Sequence, residues 1–167
     1  MAAVLARSFR IVADGVDDNG APWSLRTAPS AGATHPFDLL VTANDVRGLQ
    51  RGHYVYGPNA ISLRGLNADQ GPYADILSAA VTSASRRLEP APVSLCLVAN
   101  VERTAQRYLT TLTLLLRDAG ALLATLHLVA TDLGLRSSIV GTAGHFDYRQ
   151  TISPTVVDCG GLVLGRA

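Results

Sequence analysis

The chain has 167 residues, 48% of them hydrophobic and only 16% charged, with 14 basic side chains against 13 acidic ones and a net charge of +1. A single domain, residues 1–167, with a core of its own fits that length, and a disordered chain is excluded by that composition. The charge balance excludes a nucleic-acid binder held by phosphate neutralisation, and so low a charge content suggests that a partner covers part of the surface.

In chain order, residues 2–10 predict a short helix with Val4, Leu5 and Ser8 on one face. Asp14 to Pro22, DGVDDNGAP, is dense in turn formers and predicts a loop. Pro36 to Ala43 (PFDLLVTA) predicts a strand, and Tyr54–Tyr56 with Ile61–Leu63, on either side of GPNA, predict a β-hairpin. Residues 71–85 predict a helix, closed by Glu89–Pro92. Val93 to Ala99 (VSLCLVA) is an unbroken apolar run and predicts a strand buried on both faces. Arg103 to Leu133 predicts the longest element, a helix rich in Leu and Ala, without Pro and with Gly120 as its one glycine. Its apolar positions nearly encircle the axis, so it must be buried, in a core or between subunits. Ala119-Gly120-Ala121 forms a small-residue patch where another backbone could approach, and Gly134 ends the helix. Ile139–Val140 and Leu162–Leu164 predict further strands, so the class is α+β.

Cys96 and Cys159 sit in apolar stretches with no Cys or His at metal-ligand spacing, which predicts buried free thiols and no metal site. The start, MAAVLARSFR, lacks the apolar segment of a signal peptide. The longest nearly uncharged run, Ala119 to Ala130, is shorter than the ~20 residues that span a bilayer. A cytoplasmic protein with neither membrane nor nucleic acid as partner is expected. All basic residues are Arg; without Lys the chain has no Walker-type phosphate Lys, no Schiff base and no Ser–Lys dyad. His127 falls in the apolar helix and is expected in the core or an interface. His53 and His145 lack a carboxylate at a diagnostic spacing, Asp118 has no evident catalytic part, and Tyr54 and Tyr56 share one sheet face as packing residues.

The most specific run is Arg26 to Val41, RTAPSAGATHPFDLLV. Arg26, and Arg166 near the other end of the sequence, each offer a fork-shaped guanidinium suited to a phosphate. Ser30 offers a hydroxyl, and Ala31-Gly32 lets a ligand come close to the main chain. The same residues also make an ordinary turn, and a terminal Arg is commonly solvated. The run resembles the flavin-binding signature of the nitroreductase-like family, and within it the SagB-type dehydrogenases, a group that includes azoline oxidases and cyclodipeptide oxidases. Three segments resemble further parts of that family in its order: GLQRGHYVYGPNAISL (48–63), DAGALLATLHLVATDLGLRSSIVG (118–141) and the tail LVLGRA (162–167).

The resemblance implies a nitroreductase-like α+β fold with a central antiparallel or mixed sheet and a long buried helix. The family's N-terminal segment would need more residues than precede Arg26, so the fold is expected without it. Residues 2–10 read as the remnant of the family's second helix, and the match of Arg7-Ser8-Phe9-Arg10 to its Arg-Ser-x-Arg motif reads as accidental. The implied cofactor is flavin mononucleotide (FMN), contacted by Arg26, Pro29, Ser30, Ala31, Gly32, His35, Ser138, Val140, Gly141 and Arg166, with the phosphate on the two arginines. Simpler nitroreductases carry Asn and Gln where Ala33 and His35 stand; His35 can replace the Gln as a polar contact, whereas Ala33 cannot replace the Asn.

Azole-forming relatives use a Lys-Tyr pair ahead of the long helix for proton transfer. Arg107-Tyr108 occupies that place, which implies Tyr108 as acid/base, with Arg107 lowering its pKa or binding a carbonyl; Tyr108 as a plain amphipathic residue at a helix start is the other reading. The implied activity is FMN-dependent dehydrogenation of a peptide-derived substrate, either at the Cα–Cβ bond of a cyclic dipeptide or from azoline to azole. Expected partners are further copies, joined through the 103–133 helix, and a small second subunit that supplies the absent segment. The alternatives are a non-catalytic scaffold subunit of the same fold and an NAD(P)H-dependent nitro or quinone reductase.

Overall fold

The computed structural model describes residues 1–18, 20, 22–66, 91–141 and 156–166. The predicted 71–85 helix and His145 lie outside the described residues. The chain opens with α1 (Ala2–Phe9), built from Ala, Leu and other helix formers, with Val4, Leu5, Ser8 and Phe9 buried. Burying Ser8 and Phe9 gives that part of the Arg-Ser-Phe-Arg run a packing use, and Arg7 pairs with Asp132 at 2.8 Å. Arg10 turns to an extended conformation (φ −70°, ψ 151°) and starts β1 (Ile11–Val16), which pairs antiparallel with β2 (Pro22–Arg26). The predicted 14–22 loop therefore shrinks to the turn between these strands. A Cβ on Gly15 would lie 2.9 Å from the Trp23 ring, so the glycine that reads as a turn former is needed within the strand to seat an aromatic side chain.

The main sheet holds β3 (Phe37–Ala43), β4 (Gly52–Gly57), β5 (Ser62–Gly65), β6 (Val93–Asn100), β7 (Arg136–Val140) and β8 (Val156–Gly165). Among the described residues its order is β5-β4-β3-β6-β8-β7, with every neighbouring pair antiparallel. The expected hairpin is β4–β5, with Tyr56 opposite Leu63. The central strands β3 and β6 run Phe37 opposite Ala99 and Ala43 opposite Val93, and their apolar runs are buried on both faces, as such runs require. Cys96 and Cys159 are buried free thiols. Opposite Leu97, β8 bulges at Cys159–Gly160, with Gly160 at φ +92°. The next residue, Gly161, brings its main chain so near the Leu95 carbonyl that no side chain fits there.

The helix expected over 103–133 is two helices, α2 (Val101–Ala105) and α3 (Thr111–Asp132), with residues 106–110 between them. Asn100 caps α2 by accepting from the Glu102 amide at 3.1 Å. One face of α3, carrying Leu115, Asp118, Ala119, Leu122, Leu123, Leu126 and Ala130, is buried in the core with Leu39, Val41, Leu95 and Leu97 of the sheet. Each leucine so buried contributes about 1.5–3 kcal/mol. The opposite ridge, Leu112, Leu116, Gly120, Ala124 and Leu128, is exposed in the single chain. The 22-residue α3 contains an 18-residue window with a mean hydropathy of 1.5 and is long and apolar enough to cross a bilayer, because its apolar residues continue on both sides of Arg117-Asp118.

Candidate functional site

Pro29 to His35 forms a loop against the middle of α3. Ser30 is extended and Ala31–Ala33 make one 3₁₀ turn. Gly32 (φ +55°), Ala33 (φ +53°) and His35 (φ +40°) are left-handed. That conformation costs an ordinary residue about 1 kcal/mol or more, so the loop must be held from outside. Asp118 holds it: its Oδ2 accepts from the Ser30 hydroxyl at 2.6 Å and from the Ala31 amide at 2.9 Å. Ser30 Oγ in turn accepts from the His35 amide at 3.0 Å and lies 3.3 Å from Thr34 Oγ1, which donates to the Ala31 carbonyl.

The structure gives two of these side chains a use within the loop. The Ser30 hydroxyl gives its one proton to Asp118 and so orders the loop. Asp118, to which no chemical part was assigned, is its anchor. The signal was present in the sequence: Asp118 falls between Leu115 and Leu122 on the buried stripe, and a carboxylate there must find donors.

The residues between α2 and α3 close over this loop. Arg107 donates from Nη1 to the Gly32 carbonyl at 2.9 Å, and its Nη2 lies 3.5 Å from Asp17 in the β1–β2 turn. Arg107 is thus engaged within the chain, by the Gly32 carbonyl and by Asp17. The Tyr108 hydroxyl lies directly over Gly32, so a Cβ at that glycine would collide with it. Gly32 is itself exposed, with its main chain bare beside a phenol hydroxyl.

Arg26 is half-buried behind the loop. Its guanidinium carbon stands 4.8 Å from the centre of the Phe9 ring, and Nε donates to Ser24 Oγ at 3.4 Å. Burial and the nearby Arg103 charge push its pKa down, while Asp38 opposes them. His35 is buried, and its pKa is pushed down to about 4, first by burial and then by the Arg26 charge. At neutral pH the imidazole is uncharged. Arg103, which the sequence reading did not single out, donates to the His35 carbonyl at 3.4 Å and lies 4.0 Å from Asp38. The loop thus has Arg107 and Tyr108 at Gly32, and Arg26 and Arg103 at His35.

The other expected contacts stand apart. Ser138 and Val140 lie on the edge strand β7, with Ser138 and Gly141 exposed. Gly160 lets the Val140 and Gly141 carbonyls come close, at 3.2 and 3.3 Å from where its Cβ would be. Arg166 is exposed and 3.9 Å from Asp45, beyond the Ala43 end of β3. Arg26 shares its charge environment with Asp38, at the Phe37 end. A seven-residue strand separates these ends by about 20 Å, so the two guanidinium groups expected on one phosphate do not meet within a single chain. His53 bonds Thr42 at 3.0 Å and His127 bonds Ser137 at 2.7 Å, both in structural uses.

The chain matches the Nitroreductase family model over residues 5–155. It is 34% identical over 135 residues to a protein of Methanocaldococcus jannaschii that bears the name nitroreductase, an alignment covering 76% of this chain and 63% of that one. In shape it is similar to a crystal structure from Anabaena variabilis that also bears that name, with a TM-score of 0.72 and 23% identity over 98% of this chain and 34% of the other. A chain of the E. coli microcin synthetase McbBCD complex with truncated pro-MccB17 bound gives a TM-score of 0.68 and 18% identity, over 99% of this chain and 62% of that one. This chain spans less than two thirds of the length of each of these three proteins, and the two structural likenesses speak for the fold.

Proposed function

The chain belongs to the nitroreductase family, and on that premise we propose that it is an FMN-dependent oxidoreductase of the SagB-type dehydrogenase group acting on a peptide-derived substrate. The observation that carries this reading is the exposed Gly32 main chain, set beneath the Tyr108 hydroxyl in a loop braced by Arg103 and Arg107 with Arg26 behind it. When bound, a flavin would supply the two-electron acceptor that such a dehydrogenation needs.

The residues fit one side of that group. Gly32 leaves exposed main chain beside the Tyr108 hydroxyl, and Arg26 and Arg103 concentrate positive charge beside the loop. His35, neutral at pH 7, offers a polar contact without adding charge. Tyr108 would carry the substrate proton at its hydroxyl oxygen. Arg107 holds the Gly32 carbonyl and so fixes the loop beneath that oxygen.

Arg166, which lies away from Arg26 within one chain, and residues 138–141 at the β7 edge would complete the site from a second copy of the chain. The ridge Leu112, Leu116, Gly120, Ala124 and Leu128 of α3 suits that contact: it is apolar, exposed, and small in the middle where two backbones could cross closely.

Purified protein should take up FMN, show the flavin absorbance bands and have the mass of a dimer. A small additional subunit would be seen as extra mass in the same native measurement. Protein that stays colourless with added FMN would overturn the reading in favour of a scaffold subunit. Azoline-containing peptides and cyclic dipeptides, the substrate classes of the proposed group, are the first substrates to assay. Turnover only with NAD(P)H and nitro or quinone acceptors would replace the substrate class while keeping the cofactor.

A further inference from the structure

We propose that Asp118 is a positioning residue for the flavin site, setting the Ser30–Gly32 turn so that the Gly32 main chain stays open beneath Tyr108; this rests on the FMN reading above. The carboxylate is 8% exposed on the buried stripe of an otherwise apolar helix face. Taking a charge out of water there costs several kcal/mol unless donors replace the water, so an apolar residue would serve the core better. The donors it has found are both on the loop: the Ser30 hydroxyl and the Ala31 amide, on the same oxygen.

The geometry downstream shows what those two bonds control. They pin the two residues immediately before Gly32, and the chain then passes through the left-handed region at Gly32, Ala33 and His35. Ala33 and His35 gain nothing locally from that conformation. With Ser30 fixed, its Oγ receives the His35 amide and closes the loop on itself. The Gly32 carbonyl then reaches Arg107, and its Cα comes to rest beneath the Tyr108 oxygen. Each part of the open surface thus depends on an anchor that would touch neither cofactor nor substrate.

The test compares Asp118→Ala, Asp118→Asn, Ser30→Ala and, as a control for general loosening, Leu126→Ala. Asn can place its carbonyl oxygen where Oδ2 stands and accept both bonds, so Asp118→Asn should bind FMN within about threefold of the wild type, whereas Ala keeps neither bond. For Asp118→Ala, the FMN dissociation constant, read by flavin fluorescence at a temperature where circular dichroism shows a folded chain, should rise at least about tenfold. The Ala31 and His35 amides should lose hydrogen-exchange protection together, and Ser30→Ala should fall between these two variants. Leu126→Ala should lower Tm with little change in FMN affinity. The inference is overturned if Asp118→Ala binds FMN as the wild type does, or if Leu126→Ala weakens binding equally. Wild-type protein that takes up no FMN overturns the flavin reading itself, and this inference with it.

Discussion

The two ends of β3 treat their arginines differently. At the Phe37 end, Arg26 stacks on Phe9, shares its field with Arg103 and Asp38, and lies behind a loop tied down by Asp118 and Arg107. At the Ala43 end, Arg166 has one long ion pair with an equally exposed Asp45. An exposed pair of that kind is worth little, since solvent screens it and two long side chains must be ordered to make it. The contrast separates a guanidinium that the chain holds in place from one that it leaves exposed. It is also why an anion site built from both needs two copies.

Acid should break the organised end first. His35 would titrate near 6.5 in the unfolded chain and at about 4 in the folded one, so stability is complete above pH 6.5 and is lost as the pH falls from 6.5 toward 4. The full difference corresponds to at most about 3 kcal/mol. His35→Asn, which tolerates the left-handed backbone, should flatten that part of a Tm-against-pH curve. An unchanged slope would mean that other groups set it.

Gly32→Ala should cost about 1–2 kcal/mol from its left-handed φ alone, and the displaced Tyr108 ring should weaken FMN binding by at least about tenfold. Urea denaturation and fluorescence titration measure the two effects separately. Arg107→Ala removes the bond to the Gly32 carbonyl and should destabilise by about 1 kcal/mol, with greater exchange at the loop amides. Arg166→Ala should leave stability within about 0.5 kcal/mol of the wild type yet weaken FMN binding in the assembled dimer. Unchanged FMN affinity in that variant would remove Arg166 from the site and leave the Phe37 end to act alone.

Much of this fold is legible in the residues. VSLCLVA and PFDLLVTA read as strands and GPNA as a hairpin loop, and they are such in the structure, because apolar period and turn chemistry act within a few residues of each other. The misreadings fall where a distant residue decided. DGVDDNGAP has the composition of a loop, but Gly15 is needed under Trp23, so strand pairing runs on to Val16 and resumes at Pro22. Nothing local breaks the helix expected from Arg103. It is interrupted where Arg107 and Tyr108 engage Gly32, 75 residues earlier in the chain for the Arg107 bond.

At the candidate site the same division holds. The run from Arg26 to His35 supplies a guanidinium, a hydroxyl and a stretch of main chain with little side chain wherever it sits, and its resemblance to a flavin-binding signature is what marks it out from an ordinary turn. What the hydroxyl would bond, which carboxylate would hold the loop, and whether Arg26 and Arg166 would meet were decided only by tertiary structure. Those are questions of distance between residues far apart in sequence. Local pattern specifies which groups are available, whereas the packing of α3 on the sheet brings Asp118 to Ser30 and the length of β3 keeps the two arginines apart.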